Sequence, residues 1–281
     1  MAGVIARRIK PEMRDEALAL LELDPVGNLL LIDLVLRLAS PPSPGEATTE
    51  LLGAWRGDEL LAVAALRPTL VFSVAPPEVL EAFFPSLESI GIGLMKSSSD
   101  VIDTIWRHLA RRRRRHVLLD RLETAYVVRA SDADLSTSQG DAVTRAAFDA
   151  DLDALVVAAR ESLREEDRPD PFSGDVKGFK RWVQGRVERA RVVERGGTIV
   201  CVGYADVRLT TGWLLQGVYC WPDVRRRGFA TAGVTDLCRE AFAAGADHVQ
   251  LAVVDGNTAG VRLYERLGFK PIGKLRTVLF S

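Results

Sequence analysis

The sequence predicts a mixed α/β (α+β) protein, and three observations carry that expectation. Short apolar strand-like runs alternate with amphipathic helical stretches along the whole chain. One apolar run, residues 214–221, is stopped by Pro222 and passes through a basic, glycine-centred turn into a helix. No long low-complexity linker divides the 281 residues, which suffice for two ordinary domains or one large one. The element order of the first half returns loosely in the second. Two related halves, residues 1–124 and 125–281, are therefore expected.

In the first half, residues 13–23 and 28–38 read as helices. The second is apolar but short and broken by Asp33, so it fits a buried helix and not a membrane span. Proline and glycine in Ser40-Pro41-Pro42-Ser43-Pro44-Gly45 exclude regular structure there. Strands are expected at 51–55 and 60–66 about the turn Arg56-Gly57-Asp58. A helix at 77–84, a strand at 90–95, a helix at 100–113 and a strand at 116–122 follow. Gly91-Ile92-Gly93 lies inside the apolar strand, and Ser97-Ser98-Ser99 reads as capping of the next helix. The five arginines at 111–115 complement the dipole at that helix's end. They lack interleaved aromatics, so a solvated helix end is preferred to a nucleic-acid patch.

The second half opens with the strand Tyr126-Val127-Val128-Arg129, which runs into acidic, helix-capping residues. Helices are expected at 149–165 and 176–189, around a proline-containing loop. Strands at 191–194, 198–208 and 214–221 are joined by Gly196-Gly197 and Thr211-Gly212. A helix from Phe229, a strand at 248–254, a short helix at 258–267 and a strand at 272–280 complete the order.

A formal charge of −1 argues against a general binder of nucleic acid or anionic membrane. Cys201, Cys220 and Cys238 show neither metal-like nor disulfide-framework spacing, and an odd, sparse set fits a reducing compartment. The first residues lack the apolar core of a signal peptide. Together these predict a cytoplasmic protein without a metal.

The chemistry is concentrated in Trp221-Pro222-Asp223-Val224-Arg225-Arg226-Arg227-Gly228-Phe229-Ala230. Such a turn presents unpaired N–H groups and the positive end of a helix dipole, an arrangement that binds phosphate. Gly228 admits a close anion and Ala230 keeps the first helical turn uncrowded. Val234, Leu237, Cys238 and Ala241 give the following helix one apolar face, and Gly245 is its expected stop. On the turn alone, an ordinary strand-to-helix connection with solvated arginines explains the pattern equally well.

A second segment, Asn257-Thr258-Ala259-Gly260-Val261-Arg262-Leu263-Tyr264-Glu265-Arg266-Leu267-Gly268-Phe269, decides between them. With the turn it resembles the Gcn5-related N-acetyltransferase (GNAT) superfamily over residues 126–280. The acyl-CoA signature Gln/Arg-x-x-Gly-x-Gly/Ala corresponds to Arg225-x-x-Gly228-x-Ala230. The later asparagine and Tyr-x-x-x-Gly-Phe correspond to Asn257 and to Tyr264 through Phe269. Val127-Val128-Arg129-Ala130 with Asp134-Leu135 is similar to the family's opening strand.

The resemblance implies a GNAT fold, a central mixed, mostly antiparallel sheet flanked by helices, in two tandem halves. It implies that Val218, Tyr219 and Cys220 pair with the pantetheine arm of acetyl-CoA as an added strand. Amides of Arg226, Arg227, Gly228, Phe229, Ala230 and Thr231 would cradle its pyrophosphate beside Arg225. Asn257 would bond to the arm, and Tyr264 would protonate the leaving CoA thiolate. As bare residues, Asn257 reads equally as a helix cap and Tyr264 as a core aromatic. The family's usual strand carboxylate is missing from 214–219 and 249–254, which leaves Glu165 and Glu166 as candidate bases and Asp206 as a further one. Asp24-Pro25-Val26-Gly27-Asn28 and the 100–109 stretch with Trp106 resemble the N-terminal part of a bacterial tandem family, domain of unknown function 4081. That half has no basic glycine turn, so one acyl-CoA site is expected, with the first half supporting the fold or the acceptor.

The expected function is acetyl transfer from acetyl-CoA to an amine, a small molecule or peptide. A non-catalytic acyl-CoA-binding regulatory module is the alternative, favoured by the missing carboxylate. A binder of other nucleotides fits the turn but leaves residues 257–269 unexplained.

Overall fold

The computed structural model describes residues 3–42, 45, 47–112, 114–136, 142–172 and 174–281. Ser43 and Pro44 of the expected loop, and Arg113 of the arginine run, lie outside the described residues. The chain divides into two compact units. The first holds Met1–Pro42, Ala47–Ala125 and Gly273–Ser281, and the second holds Ser43–Glu46 and Tyr126–Ile272.

The first unit contains β1 (Ile5–Arg8), α1 (Arg14–Leu21), α2 (Leu29–Leu36), β2 (Glu50–Arg56), β3 (Glu59–Arg67) and β4 (Val71–Phe72). It continues with α3 (Pro77–Leu80), α4 (Phe84–Glu88), β5 (Gly93–Ser98), α5 (Ser99–Arg112) and the first part of β6 (Val117–Arg129). Strands β1 to β4 form an antiparallel sheet in sequence order. β5 pairs antiparallel with the C-terminal strand, Leu275 opposite Ser98 and Phe280 opposite Gly93. The apolar stripe of α5, Val101, Ile102, Ile105 and Leu109, is buried with Phe72, Leu80, Phe83 and Phe280. Arg115 folds back, donating to the Leu109 carbonyl at 2.8 Å and to the Glu88 carbonyl at 3.1 Å, and so satisfies the end of α5.

A buried carboxylate ties this unit's strands together. Glu123 of β6 accepts from Lys96 Nζ at 2.5 Å, from Thr277 Oγ1 at 2.6 Å and from Arg121 Nε at 3.2 Å. Burial pushes its carboxyl upward, but the Lys96 charge and these hydrogen bonds outweigh burial and hold it at about 2.

Several expectations need correction here. The strand expected at 90–95 begins at Gly93, with Gly91 and Ile92 in the preceding loop. Ser97 does not cap α5: it lies within β5, and its Oγ accepts the Phe72 N–H at 2.8 Å and donates to the Phe72 carbonyl at 3.1 Å. The helix expected at 77–84 is three short pieces ending at Glu88. β1 and β4 are too short for their alternation to show in sequence.

The second unit takes the end of β6 from Tyr126, then β7 (Val143–Ala146), α6 (Leu152–Glu165), α7 (Val176–Gln184), β8 (Ala190–Arg195) and β9 (Thr198–Leu209). β10 (Gly212–Cys220), α8 (Phe229–Ala243), β11 (His248–Val254), α9 (Thr258–Arg266) and the start of β12 (Lys270–Phe280) complete it. Its strands run in the order β6-β11-β10-β9-β8-β7. β7 through β10 are antiparallel, whereas β10 and β11 are parallel, and α8 makes the crossover that parallel strands require. The predicted face of α8, Val234, Leu237, Cys238 and Ala241, is buried against β11 residues Val249, Leu251 and Val253. Leu155 and Ala158 of α6 pack with Phe179, Tyr204 and Tyr219 in a separate cluster. Gly245, at φ 82°, ends α8 as expected, with the Ala246 N–H on the Ala241 carbonyl at 3.0 Å.

Candidate functional site

The site is built on two irregularities of β10. Gln216 lies opposite Tyr204 and Tyr219 opposite Val202, so β10 spends one residue more than β9 over this interval. Gly217, at φ 59°, is the left-handed residue that absorbs it, forming a β-bulge. The second irregularity lies on the other edge. β10 and β11 are in parallel register only at Trp213 with Val249 and Leu214 with Gln250. Beyond these pairs the two strands part, and Val218, Tyr219 and Cys220 lie on the diverging stretch. The glycine inside an apolar run was the one sequence signal for the bulge.

β10 ends at Cys220, and the chain makes a tight turn over Pro222–Val224 before α8. Arg226 adopts φ 62° and Gly228 φ 88°. A Cβ on Gly228 would meet nothing within 4 Å, so glycine is needed there for its conformation and not for space. Gly228 is the N-cap of α8 and provides no side-chain cap. The first intrahelical bond runs from the Ala232 N–H to the Gly228 carbonyl at 2.9 Å, which leaves the amides of Phe229, Ala230 and Thr231 ahead of the ladder. They sit at the positive end of a 15-residue helix. This is the fit an acyl-CoA diphosphate demands: free donors, an open approach over Gly228 and no competing cap. The Phe229 ring is buried, so only the backbone of that residue is available at the turn.

The side chain of Arg225 is directed elsewhere. Its Nη2 donates to both oxygens of Glu165 at 2.7 Å, and its Nε donates to the Cys220 carbonyl at 2.9 Å. Tyr219 completes the group, its hydroxyl donating to Glu165 Oε1 at 3.3 Å and its ring lying 5.5 Å from the Arg225 guanidinium. Burial, then the Glu165 charge, raises the Tyr219 phenol pKa. Strand alternation explains the arrangement: Tyr219 faces α6, while Val218 and Cys220 pack on the other side with Phe229 and Ala230. Glu165, at the end of α6, is thus brought to the end of β10. Glu166 faces Arg168 at 3.6 Å. Asp206 is gripped by Arg186 through bonds of 3.1 and 2.7 Å.

On α9, Asn257 is the N-cap, its Oδ1 accepting the Gly260 N–H at 2.9 Å, and it remains exposed. The tyrosine-to-phenylalanine signature acquires a physical reason at the other end. Gly268, at φ 90°, turns the chain out of the helix, and the Phe269 N–H bonds to the Tyr264 carbonyl at 3.0 Å. These are the bonds of a Schellman ending, which brings its two flanking apolar residues together. The Tyr264 and Phe269 rings accordingly meet edge to face at 5.6 Å. Burial, with a smaller contribution from the Cys238 thiol, pushes the Tyr264 phenol well above its ordinary pKa. It is therefore fully protonated at neutral pH, as a proton donor must be.

The cysteine expectation is corrected. Cys201 and Cys220 lie opposite each other on β9 and β10 and form a disulfide, leaving buried Cys238 free. Their spacing of 19 gave no hint because register, not sequence distance, pairs them. The cysteine count consequently gives no support to a reducing compartment. No helix among the described residues is long and apolar enough to cross a membrane. Among the same residues no group of three His, Cys, Asp or Glu is placed to hold a metal.

No curated protein matches the chain in sequence. Residues 154–269 match the acetyltransferase (GNAT) family. Among solved structures, a Drosophila protein aligns over 99% of both chains with a TM-score of 0.75 at 14% identity. A GCN5-related N-acetyltransferase from Sphaerobacter thermophilus covers 99% of this chain and 94% of its own, with a TM-score of 0.59 at 15% identity. A tandem GNAT protein from the clavulanic acid biosynthesis pathway covers 99% and 97%, with a TM-score of 0.56 at 11% identity. At such identities the likeness is one of fold, and it extends over both units. The second unit, which holds the diverging strands, the Gly228 turn and Tyr264, carries a domain of the GNAT acetyltransferase family.

Proposed function

We propose that this chain is an acyl-CoA-dependent N-acyltransferase that moves an acetyl group from acetyl-CoA to an amine. One observation carries the proposal: the parting of β10 from β11 after Leu214 and Gln250, which leaves a strand edge leading directly into the uncapped start of α8. An extended pantetheine arm would add to that edge along Val218, Tyr219 and Cys220, and the amides at residues 226–231 would hold the pyrophosphate. Asn257 keeps its amide nitrogen available, since capping uses only its oxygen. The donor supplies the activated acyl group. Tyr264 gives its proton to the sulfur as the C–S bond breaks and recovers one from solvent. The amine surrenders a proton as its nitrogen bonds to the acyl carbon, and that proton passes to Glu165, the carboxylate in contact with β10, or to Glu166 beside it. The first unit, without a basic glycine turn, supports the fold or the acceptor.

Thiol release from acetyl-CoA over a broad amine panel tests this reading. Tyr264→Phe should lower kcat by about 10²- to 10⁴-fold, the usual worth of a positioned acid, with acetyl-CoA affinity unchanged. Tight acetyl-CoA binding without turnover of any acceptor would establish the binding-module reading. Absence of binding would remove both.

A further inference from the structure

A cavity of about 330 Å³ opens beside the C-terminal end of α6. Arg160, Leu163, Arg164, Arg168, Asp170 and Phe172 contribute to its wall. Helical spacing accounts for the first three, since positions i, i+3 and i+4 share one face. The helix end brings in Arg168. Its N–H bonds to the Leu163 carbonyl at 2.9 Å, and the Asp167 N–H bonds to the Arg164 carbonyl at 3.1 Å. The turning residue is Asp167, at φ 49°, where glycine is the usual occupant.

The charges on this wall are unevenly matched. Arg164 pairs with Glu161, and Arg168 with Glu166 at 3.6 Å, in solvated contacts that compete weakly with a ligand. The lining carboxylate of Asp170 accepts the Phe172 N–H at 2.7 Å. Arg160 is different: its guanidinium lies 4.9 Å from the Phe179 ring centre, and its buried Nε has no hydrogen-bond partner. That Nε is enclosed by protein and beyond a ligand's reach, but a concave wall carrying three guanidinium groups attracts an anion into the cavity. The planar guanidinium fork matches a carboxylate. Phe172, packed 5.8 Å from Phe179 and 5.9 Å from Trp182, gives an apolar side. The volume is at the small end for ligand pockets. Arg164 immediately precedes Glu165, the residue held against the donor strand.

We propose that this cavity binds the carboxylate of a small organic acid, and that the acyl acceptor is an amine bearing that carboxylate. The acceptor assignment rests on the acyltransferase reading, whereas the carboxylate site stands without it.

Calorimetric titration of the full chain with glutarate at low ionic strength, with glutaramide as neutral control, reads the site without turnover. One glutarate should bind per chain and no glutaramide, with affinity falling at least tenfold in Arg160→Gln and in Arg168→Gln. The second variant is included because Arg160 also packs on Phe179. Failure of glutarate to bind, or undiminished binding by both variants, overturns the site. Turnover with saturating acetyl-CoA is then compared for ω-amino acids and their amides. The acids should show KM values at least tenfold lower, and Arg168→Gln should erase the difference without altering acetyl-CoA affinity. Equal KM values overturn the acceptor assignment. Glutarate binding with no turnover of any amine would instead sink the acyltransferase reading and, with it, that assignment.

Discussion

Replacing Glu123 by Gln should remove a pH-dependent share of the first unit's stability. The carboxyl is lowered from 4.5 to about 2 in the folded chain. At 1.36 kcal/mol per unit, that shift corresponds to about 3 kcal/mol. Because the folded pKa lies below the unfolded one, this stabilisation is complete above about pH 4.5 and is lost as pH falls toward 2. With its side chain 3% exposed, solvent screening takes little from the figure. Amide exchange followed by mass spectrometry, corrected for intrinsic rates, would read peptides from β5 and β12 and so keep the measurement within one unit. The expected result is a gap of about 3 kcal/mol between wild type and variant near pH 6 that closes near pH 2. A gap of constant size across that range would refute the account, because it would mean that Glu123 contributes shape and not charge.

Two further outcomes follow from the second unit. Gly228→Ala meets no steric obstacle but forces φ 88° on an L-residue; it should cost about 1–2 kcal/mol by thermal melting and weaken acetyl-CoA binding in calorimetry. A result within error of wild type would show that the turn does not need its left-handed residue. Reduction of Cys201–Cys220 should lower the unfolding midpoint by a few degrees, reflecting at most about 3 kcal/mol for a loop of this length. Two free thiols in the untreated protein beyond Cys238 would contradict the pairing.

The parts of the site legible in sequence were the local ones. Gly228 at a helix start, Asn257 at a helix cap and Gly268 after Tyr264 each act within a few residues, so spacing alone displays them. The apolar face of α8 was legible for the same reason. What spacing does not display is register. The bond of Glu165 to Arg225 spans 60 positions, and the disulfide depends on how β9 and β10 are aligned. β7 was missed because its four residues carry no strong pattern. Arg145 holds it in place, bonded to Asp151 at 2.7 Å and to Glu194 at 3.0 Å. Asp206 stood as a further candidate base because nothing in the sequence announces Arg186 as its partner.

The extra residue at Gly217 has a parity consequence. Were Gly217 an ordinary ladder residue instead of a bulge, the alignment of Gln216 with Tyr204 would set Tyr219 opposite Cys201 and carry Cys220 past its partner to Val200. Every side chain beyond the bulge would also change sides. One residue therefore determines whether a sulfur meets a sulfur and whether a phenol meets a carboxylate. Deleting Gly217 leaves a straight ladder that keeps Cys220 opposite Cys201, so a thiol titration under denaturing conditions should still count one reactive group; three would show that the alignment had slipped.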